Sequence, residues 1–415
     1  MRKNNCITVL LVMIGYSVQS QTIKLEDILK SVEANHPQLK MFDAEVKSMD
    51  AAAEGAKSWM PPEISTGFWM MPYNPSFWKK QDMGTGMGQY MIGVQQMLPN
   101  RKRQEAESEY MKSMSAIEKE NRNASLNELK AKARAAYANW VIQVKKLGVL
   151  EQNEKLLDFM IRNAEIRYKN NLGKLNAYYK AKAALGELNL MQDMTTTEVG
   201  VLRVRLSALM NLPLSDQSMP DTNFQVLTHS ISIDTSMFAQ NRSEIKAIEQ
   251  QKQSNILQQK FESSKLKPEF GLKYDHMFGF GGMPQQFNLM AMVRIPMMSW
   301  SSKMSKANIA SLRYKNEALD QQRTMMLNEF TGMALEMQKE INARSRQIEL
   351  YRTSIIPALK NNYQSTLMAY EQNTEELYML FDAWESLHMM QLKFLDEQGQ
   401  LFQLDIQQQR ILENR

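Results

Sequence analysis

Between Pro99 and Pro213 the chain contains no proline, and Ala, Leu, Glu, Lys, Gln and Met fill most of the interval. These are good helix formers. Leu126, Leu129, Ala133, Ala136, Trp140, Val144 and Leu147 recur in alternating steps of three and four, the spacing of a coiled-coil seam. A second proline-poor stretch runs from Lys303 to Ile356 and, past Pro357, on to Arg415. A helix of about 60 residues is roughly 90 Å long. Helices of that length pack along one another in bundles or tubes, not in a compact globule.

Two segments break this helical pattern. WMPPEISTGFWMMPYNPSFW (59–78) and KPEFGLKYDHMFGF (267–280) gather aromatics, methionines and prolines. In the first, Ile64, Thr66 and Phe68 alternate with Ser65, Gly67 and Trp69. A loop rich in Gly, Pro and Asn follows, then a second alternating run, QYMIGVQQML (89–98); FNLMAMVRIPM (287–297) plays that part in the other half. Period-two runs flanking a loop predict a β-hairpin.

The halves also align. The residues from Asn35 lie without a gap over those from Asn241, bringing Pro62-Glu63 onto Pro268-Glu269, and 168–185 lies over 370–387. Two matches at a similar offset, about 200 residues, argue for duplication. The reading is a mainly α chain with a small β part, four strands in all. Four strands cannot close a barrel, and open edges are not tolerated in lipid. The hairpins are therefore expected to be pooled between several chains.

The expected organisation is a leader over 1–20, an opening helix over 21–61, a hairpin over 62–98 and long helices over 99–213. A linking segment over 214–240 leads to a second opening helix over 241–267, a hairpin over 268–298 and long helices over 299–415. MRKNNCITVLLVMIGYSVQS has the basic start, short apolar core and small final residue of a signal peptide cleaved before Gln21. A membrane anchor is the rival reading, but the apolar run is short for a bilayer. Cys6, the single cysteine, lies before the apolar core, so the mature chain is expected to hold no disulfide and no acyl anchor. No later run of about 20 apolar residues occurs; if the chain spans a membrane, it does so as strands. A formal net charge of +5 without a basic stripe gives no footprint for nucleic acid.

These residues resemble the TolC-like outer membrane efflux channels. LEDILKSVEANHPQLK (25–40) is similar to the family's opening helix, with its turn at Asn35-His36-Pro37. VQQMLPNRKRQEAE (94–107) and VRIPMMSWSSKMSKA (293–307) resemble the strand-to-helix segments. RYKNNLGKLNAYYKAKAAL and AYEQNTEELYMLFDAWESL resemble the two helix reversals at the periplasmic tip, and RVRLSALMNLP (203–213) the end of the first helical half. The resemblance implies a homotrimer with a twelve-stranded barrel in outer membrane lipid and a helical tunnel in the periplasm. Its partners would be a periplasmic adaptor and an inner-membrane pump of the resistance-nodulation-division type. No reaction would be catalysed and no cofactor is expected.

The resemblance also points to site residues. The second aspartate of the family's tip motif falls on Asp382, followed by Ala383; the first falls on Met379, a departure. Three copies of Asp382 would form a ring that attracts cations, unless Asp382 is only a solvated helix residue. The turn glycine falls on Asn171 and Asn373, and asparagine tolerates the left-handed conformation better than most residues. Asn171, Leu172, Gly173, Asn373 and Thr374 are the expected adaptor contacts.

Other chemistry finds few residues. His36, His229, His276 and His388 show no metal-ligand spacing. MGTGMG (83–88) lacks the Gly-Lys-Ser/Thr of a phosphate loop, and no nucleophile motif appears. The 34 methionines are the open question. Met60, Met70, Met71, Met83, Met87, Met91 and Met97 surround the first hairpin, and Met277, Met283, Met290, Met292, Met297, Met298 and Met304 the second. Thioethers are soft ligands for Cu(I) and Ag(I), with Met379, Met70 and Met71 as candidates; equally, Met is flexible apolar filler. The expected function is passive conduction of copper or silver ions to the exterior. The same channel serving drugs is one alternative; a soluble periplasmic scaffold or adaptor is another.

Overall fold

The computed structural model describes residues 22–80, 84, 86–170, 175–223 and 234–413. The expected leader, His229, Met83 and the first tip candidates Asn171, Leu172 and Gly173 lie outside the described residues. In chain order the elements are β1 (Thr22–Ile23), α1 (Leu25–Asn35), α2 (Pro37–Gly55), β2 (Glu63–Trp69), β3 (Gln89–Met97), α3 (Arg101–Lys169) and α4 (Leu175–Met210). Then come β4 (Met219–Pro220), α5 (Thr235–Asn241), α6 (Ser243–Ser264), β5 (Glu269–Gly279), β6 (Gln286–Arg294), α7 (Ser299–Leu350), α8 (Ile356–Glu371) and α9 (Leu377–Leu412). The contacts define two units: 1–36, 129–228 and 340–406 form the first, and 37–128, 229–339 and 407–415 the second.

The first unit is helical. Along α3 the expected seam is buried at Leu129, Ala133, Ala136 and Trp140. A second stripe of the same helix, Ala131, Ala138 and Ile142, packs against Leu395, Phe402 and Ile406 of α9. Further along, Leu157 and Met160 of α3 meet Ala181 and Leu188 of α4 and Leu380 and Trp384 of α9. Two buried stripes give α3 neighbours on more than one side, which a single heptad-like seam does not reveal.

Prolines set the breaks. Pro37 holds His36 extended, at φ −62° and ψ 125°, as the residue before a proline must be, and so α1 ends before α2. Pro357 has no N–H, and its ring would strike the carbonyl four residues back in a regular helix. The chain widens into a π turn over Tyr351–Ile355, with the Ile356 N–H donating to Tyr351 O, and then continues as α8.

The pairing of β1 with β4, parallel through Thr22–Met219 and Ile23–Pro220, has no counterpart in the sequence reading. The Tyr137 hydroxyl pins it, donating to Ile23 O at 2.9 Å and accepting from the Asp221 N–H at 2.9 Å. Tyr137 packs edge-on against the buried Trp140.

The second unit holds the sheet, in the order β2-β3-β5-β6. Both hairpins are antiparallel, and β3 pairs with β5 from Gln89–Gly279 to Met97–Gly271, fusing the two hairpins into one sheet. Strands β2 and β6 are its edges. At its centre a Cβ on Gly93 would meet the Asp275 carboxylate and, at 2.7 Å, Ser65 Oγ, so only glycine fits there.

Two helix ends in this unit are stapled reciprocally. Buried Arg242 donates to Arg410 O at 2.8 Å and Ile411 O at 3.0 Å, the carbonyl end of α9. Glu413 accepts from the Ser243 N–H at 2.8 Å, the amide end of α6. Each charge faces the helix end of opposite partial charge. Burial pulls the Arg242 pKa down, and Glu244 and Glu413 oppose that shift.

Ile92→Pro is expected to cost about 2–3 kcal/mol, because β3 is paired on both sides and a ladder bond is lost inside the sheet. Glu63→Pro, at the first residue of edge strand β2, is expected to cost under about 1 kcal/mol. Thermal unfolding of the detergent-extracted variants measures both; equal losses would contradict the strand order.

Candidate functional site

The register sorts the sheet into two chemically different faces, since residues opposite one another in an antiparallel pair share a face. On one, the rows are Phe68–Tyr90–Phe278, Thr66–Ile92–His276–Phe287, Ile64–Val94–Tyr274–Leu289, Gln96–Leu272–Ala291 and Phe270–Val293. Most of these side chains are exposed, Ile64 at 74% and Phe287 at 70%. The polar atoms are used internally: the Thr66 hydroxyl donates to the Tyr90 oxygen at 2.7 Å, and His276 packs edge-on to Phe278 at 4.4 Å. From Phe270 to Phe278 the apolar rows cover about 27 Å along the strand, enough on a tilted strand for most of the roughly 25 Å band of a membrane barrel.

Exposed aromatics mark both ends of β2, Trp59 before it and, on the other side, Trp69 as its last residue with Tyr73 and Trp78 beyond. Trp300 follows β6 on the Trp59 side. That is the placement of interfacial girdles.

The other face carries Ser65–Gly93–Asp275–Asn288 and Glu63–Gln95–Lys273–Met290 as neighbouring rows. Asp275 is buried and paired with Lys273 at 3.2 Å. Met70 follows β2 at φ +52° and is 79% exposed, whereas Met71 places its sulfur against Gly88.

In the first unit, the second helix reversal is described in full. Asn373 has φ +61°, the left-handed conformation expected of it. The turn closes α8 through the Asn373 N–H to Tyr370 O at 3.1 Å and the Thr374 N–H to Ala369 O at 2.9 Å, satisfying carbonyls that a helix end leaves open. Thr374 and Asn373 are both exposed. The flanks of the two reversals are clamped together. Arg167 at the end of α3 lies 4.4 Å over the Tyr370 ring, and Lys180 in α4 lies over Tyr378 and Phe381 at 4.5 and 4.3 Å. These are cation–π contacts.

Met379 and Asp382 fall on the exposed stripe at the start of α9, opposite the buried Leu380, Phe381, Ala383 and Trp384. The structure brings these two together on one face. It holds the sheet methionines in the other unit.

One side chain gave no signal in the sequence. His388 is buried, stacks parallel on Trp384 at 5.3 Å, and neither ring nitrogen has a hydrogen-bond partner among the described residues. Burial holds its pKa below the ordinary histidine value, favouring the neutral ring. It borders a groove of about 490 Å³ between α4 and α9, with Lys180, Met191, Trp384 and Lys393 in its walls. Its spacing to Trp384 is one helical turn, a packing signal indistinguishable from core. Among the described residues no three of His, Cys, Asp and Glu converge on a metal-sized site, and no helix is long and apolar enough to cross a membrane.

A hairpin set between helices, occurring twice in one chain with both hairpins joined in one sheet, is the fold of outer membrane channels of the TolC type. The outer membrane protein VceC of Vibrio cholerae is similar at TM-score 0.72 and 15% identity, over 94% of this chain and 96% of that one. CusC gives 0.73 and 12% over 94% and 91%. The open MtrE channel of Neisseria gonorrhoeae gives 0.74 and 13% over 94% and 88%. At such identities the likeness is one of fold. No protein-family model and no curated protein sequence matches the chain.

Because Asn373 holds a positive φ, Asn373→Ala is expected to destabilise by about 1 kcal/mol and Asn373→Gly to be neutral or mildly stabilising. Chemical denaturation separates them; an alanine variant as stable as the glycine one would mean the turn is not strained.

Proposed function

We propose that the protein is the outer membrane channel of a tripartite exporter. Three copies would join their sheets into a twelve-stranded barrel, and the helices would form a periplasmic conduit. The observation that carries this reading is the two-faced sheet with free edges. An exposed face rich in Phe, Tyr, Ile, Leu and Val suits lipid, the opposite face of Ser, Gly, Asp, Asn, Gln and Lys with interspersed Met suits water, and among the described residues β2 and β6 have no strand paired on their outer sides. A soluble scaffold would gain nothing from exposing such a face. The fold shared with VceC, CusC and MtrE supports the same reading.

The reversal segments are the proposed docking surface for a periplasmic adaptor, through Asn373 and Thr374 and, in the first repeat, Asn171, Leu172 and Gly173. The adaptor would couple the channel to an inner-membrane pump of the resistance-nodulation-division type. For cargo we propose soft monovalent metal cations, supported by the methionine content and by the Met379–Asp382 face, where a carboxylate gathers cations and a thioether favours soft ones. Transport is passive in the channel itself; no residue is assigned a catalytic role.

Reconstituted in planar bilayers, the protein is expected to give discrete conductances. Asp382→Asn is expected to lower the cation-to-anion permeability ratio roughly twofold or more. Met379→Leu is expected to leave conductance nearly intact while reducing silver tolerance in cells. Met70→Leu, at an exposed position outside the strands, serves as the silent control. An unchanged ion preference in the Asp382 variant would remove that residue from the pore.

A further inference from the structure

We infer that the polar face of the sheet carries a ladder of methionine thioethers that binds soft monovalent cations, Cu(I) and Ag(I), along the conducting path. The inference deepens the channel reading and rests on it for the direction in which this face looks. Its evidence is the register. The four strands contain five methionines, Met91 and Met97 in β3, Met277 in β5, and Met290 and Met292 in β6. All five fall on the polar face; the apolar face, made of Ile, Val, Leu, Phe and Tyr with a few polar residues, has none.

Filler would be distributed the other way. A methionine standing in for leucine gains free energy by covering apolar surface, so it belongs on the lipid-facing side. On a water-facing surface beside Asp275, Lys273, Gln95 and Asn288 that gain is small, and the chemistry of sulfur is what distinguishes methionine from its neighbours.

The thioethers are also grouped. Met91 and Met277 are direct cross-strand partners, at Cβ separations of about 5 Å. Met97 and Met292 flank Gly271 in a single row. A Cβ on Gly271 would lie 2.6 Å from the Met97 sulfur and 3.1 Å from the Met292 methyl, so both side chains fold over the space the glycine leaves open. Met290 stands opposite Lys273 in the next row. Beyond the Met91–Met277 row, Met283 places its sulfur 3.5 Å from the donating Gln89 amide. Successive rows on one face are about 7 Å apart, and of the five from Gln89 to Met97 only the Asp275 row lacks a methionine near it.

A neutral sulfur ligand does not titrate, holds a soft cation in preference to Na⁺ or K⁺, and binds it weakly enough in ones and twos to release it to the next rung.

The test uses the detergent-extracted full protein and silver nitrate in chloride-free buffer. Met91→Leu, Met97→Leu, Met277→Leu and Met292→Leu are combined in one chain; leucine keeps volume and apolarity. A control chain carries Met41→Leu, Met194→Leu, Met325→Leu and Met368→Leu, all exposed helix positions. Calorimetric titration is expected to show about a tenfold loss of silver affinity in the sheet variant and none in the control. Equal silver binding by the sheet variant and the wild type overturns the ladder. Should the fourfold variant not fold, the two pairs, Met91 with Met277 and Met97 with Met292, are tested separately against the same criterion. Potassium conductance of the wild type in bilayers judges the channel reading independently. Conductance with undiminished silver binding in the variant sinks the ladder alone. Silver binding lost with the methionines, but no conductance in the wild type, sinks the channel and keeps the site.

Discussion

An antiparallel sheet with two free edges cannot stand alone in hydrocarbon. Each unpaired N–H or C=O there costs several kcal/mol, and among the described residues β2 and β6 each present a row of them. The exposed aromatic and branched aliphatic face makes water an equally poor surrounding. Closure onto further copies of the same sheet would satisfy both demands, and closed assemblies of identical chains are symmetric. The proposed trimer and its barrel are an answer to that requirement.

The helices meet a different demand: long elements must be buried on more than one side and ended without orphaned groups. Helix α3 does the first with its two stripes. The second is met by side chains of charge opposite to the helix end, Arg242 on the carbonyls closing α9 and Glu413 on the amides opening α6. Because Arg242 is desolvated, it needs Glu244, at 2.6 Å, and Glu413 beside it; removing either carboxylate would leave a charge poorly compensated.

Much of this was legible in the chain itself. Alternation over Ile64–Trp69 and QYMIGVQQML placed β2 and β3, and the proline-free interval placed α3 and α4, because period and proline are local signals. The left-handed turn at Asn373 was expected through the family resemblance, which sets the turn glycine on that residue. What local signals cannot carry is pairing between distant segments. The β3–β5 register, the short β1–β4 bridge pinned by Tyr137 and the second stripe of α3 depend on contacts far apart in sequence. The methionines show the difference most clearly. Their number is visible in the sequence, but their placement on one face appears only when Met97 is set beside Gly271 and Met292.

The closure of the sheet is tested most directly by disulfide trapping between its edges. Cys6 is the only cysteine in the sequence, so Ser65→Cys on β2 can be paired with single cysteines walked along β6 from Gln286 to Arg294 and oxidised in isolated outer membranes. The account predicts one preferred register, with covalent products that stop at three chains. Products that continue past three chains, or chains that stay monomeric at every position along β6, would contradict it.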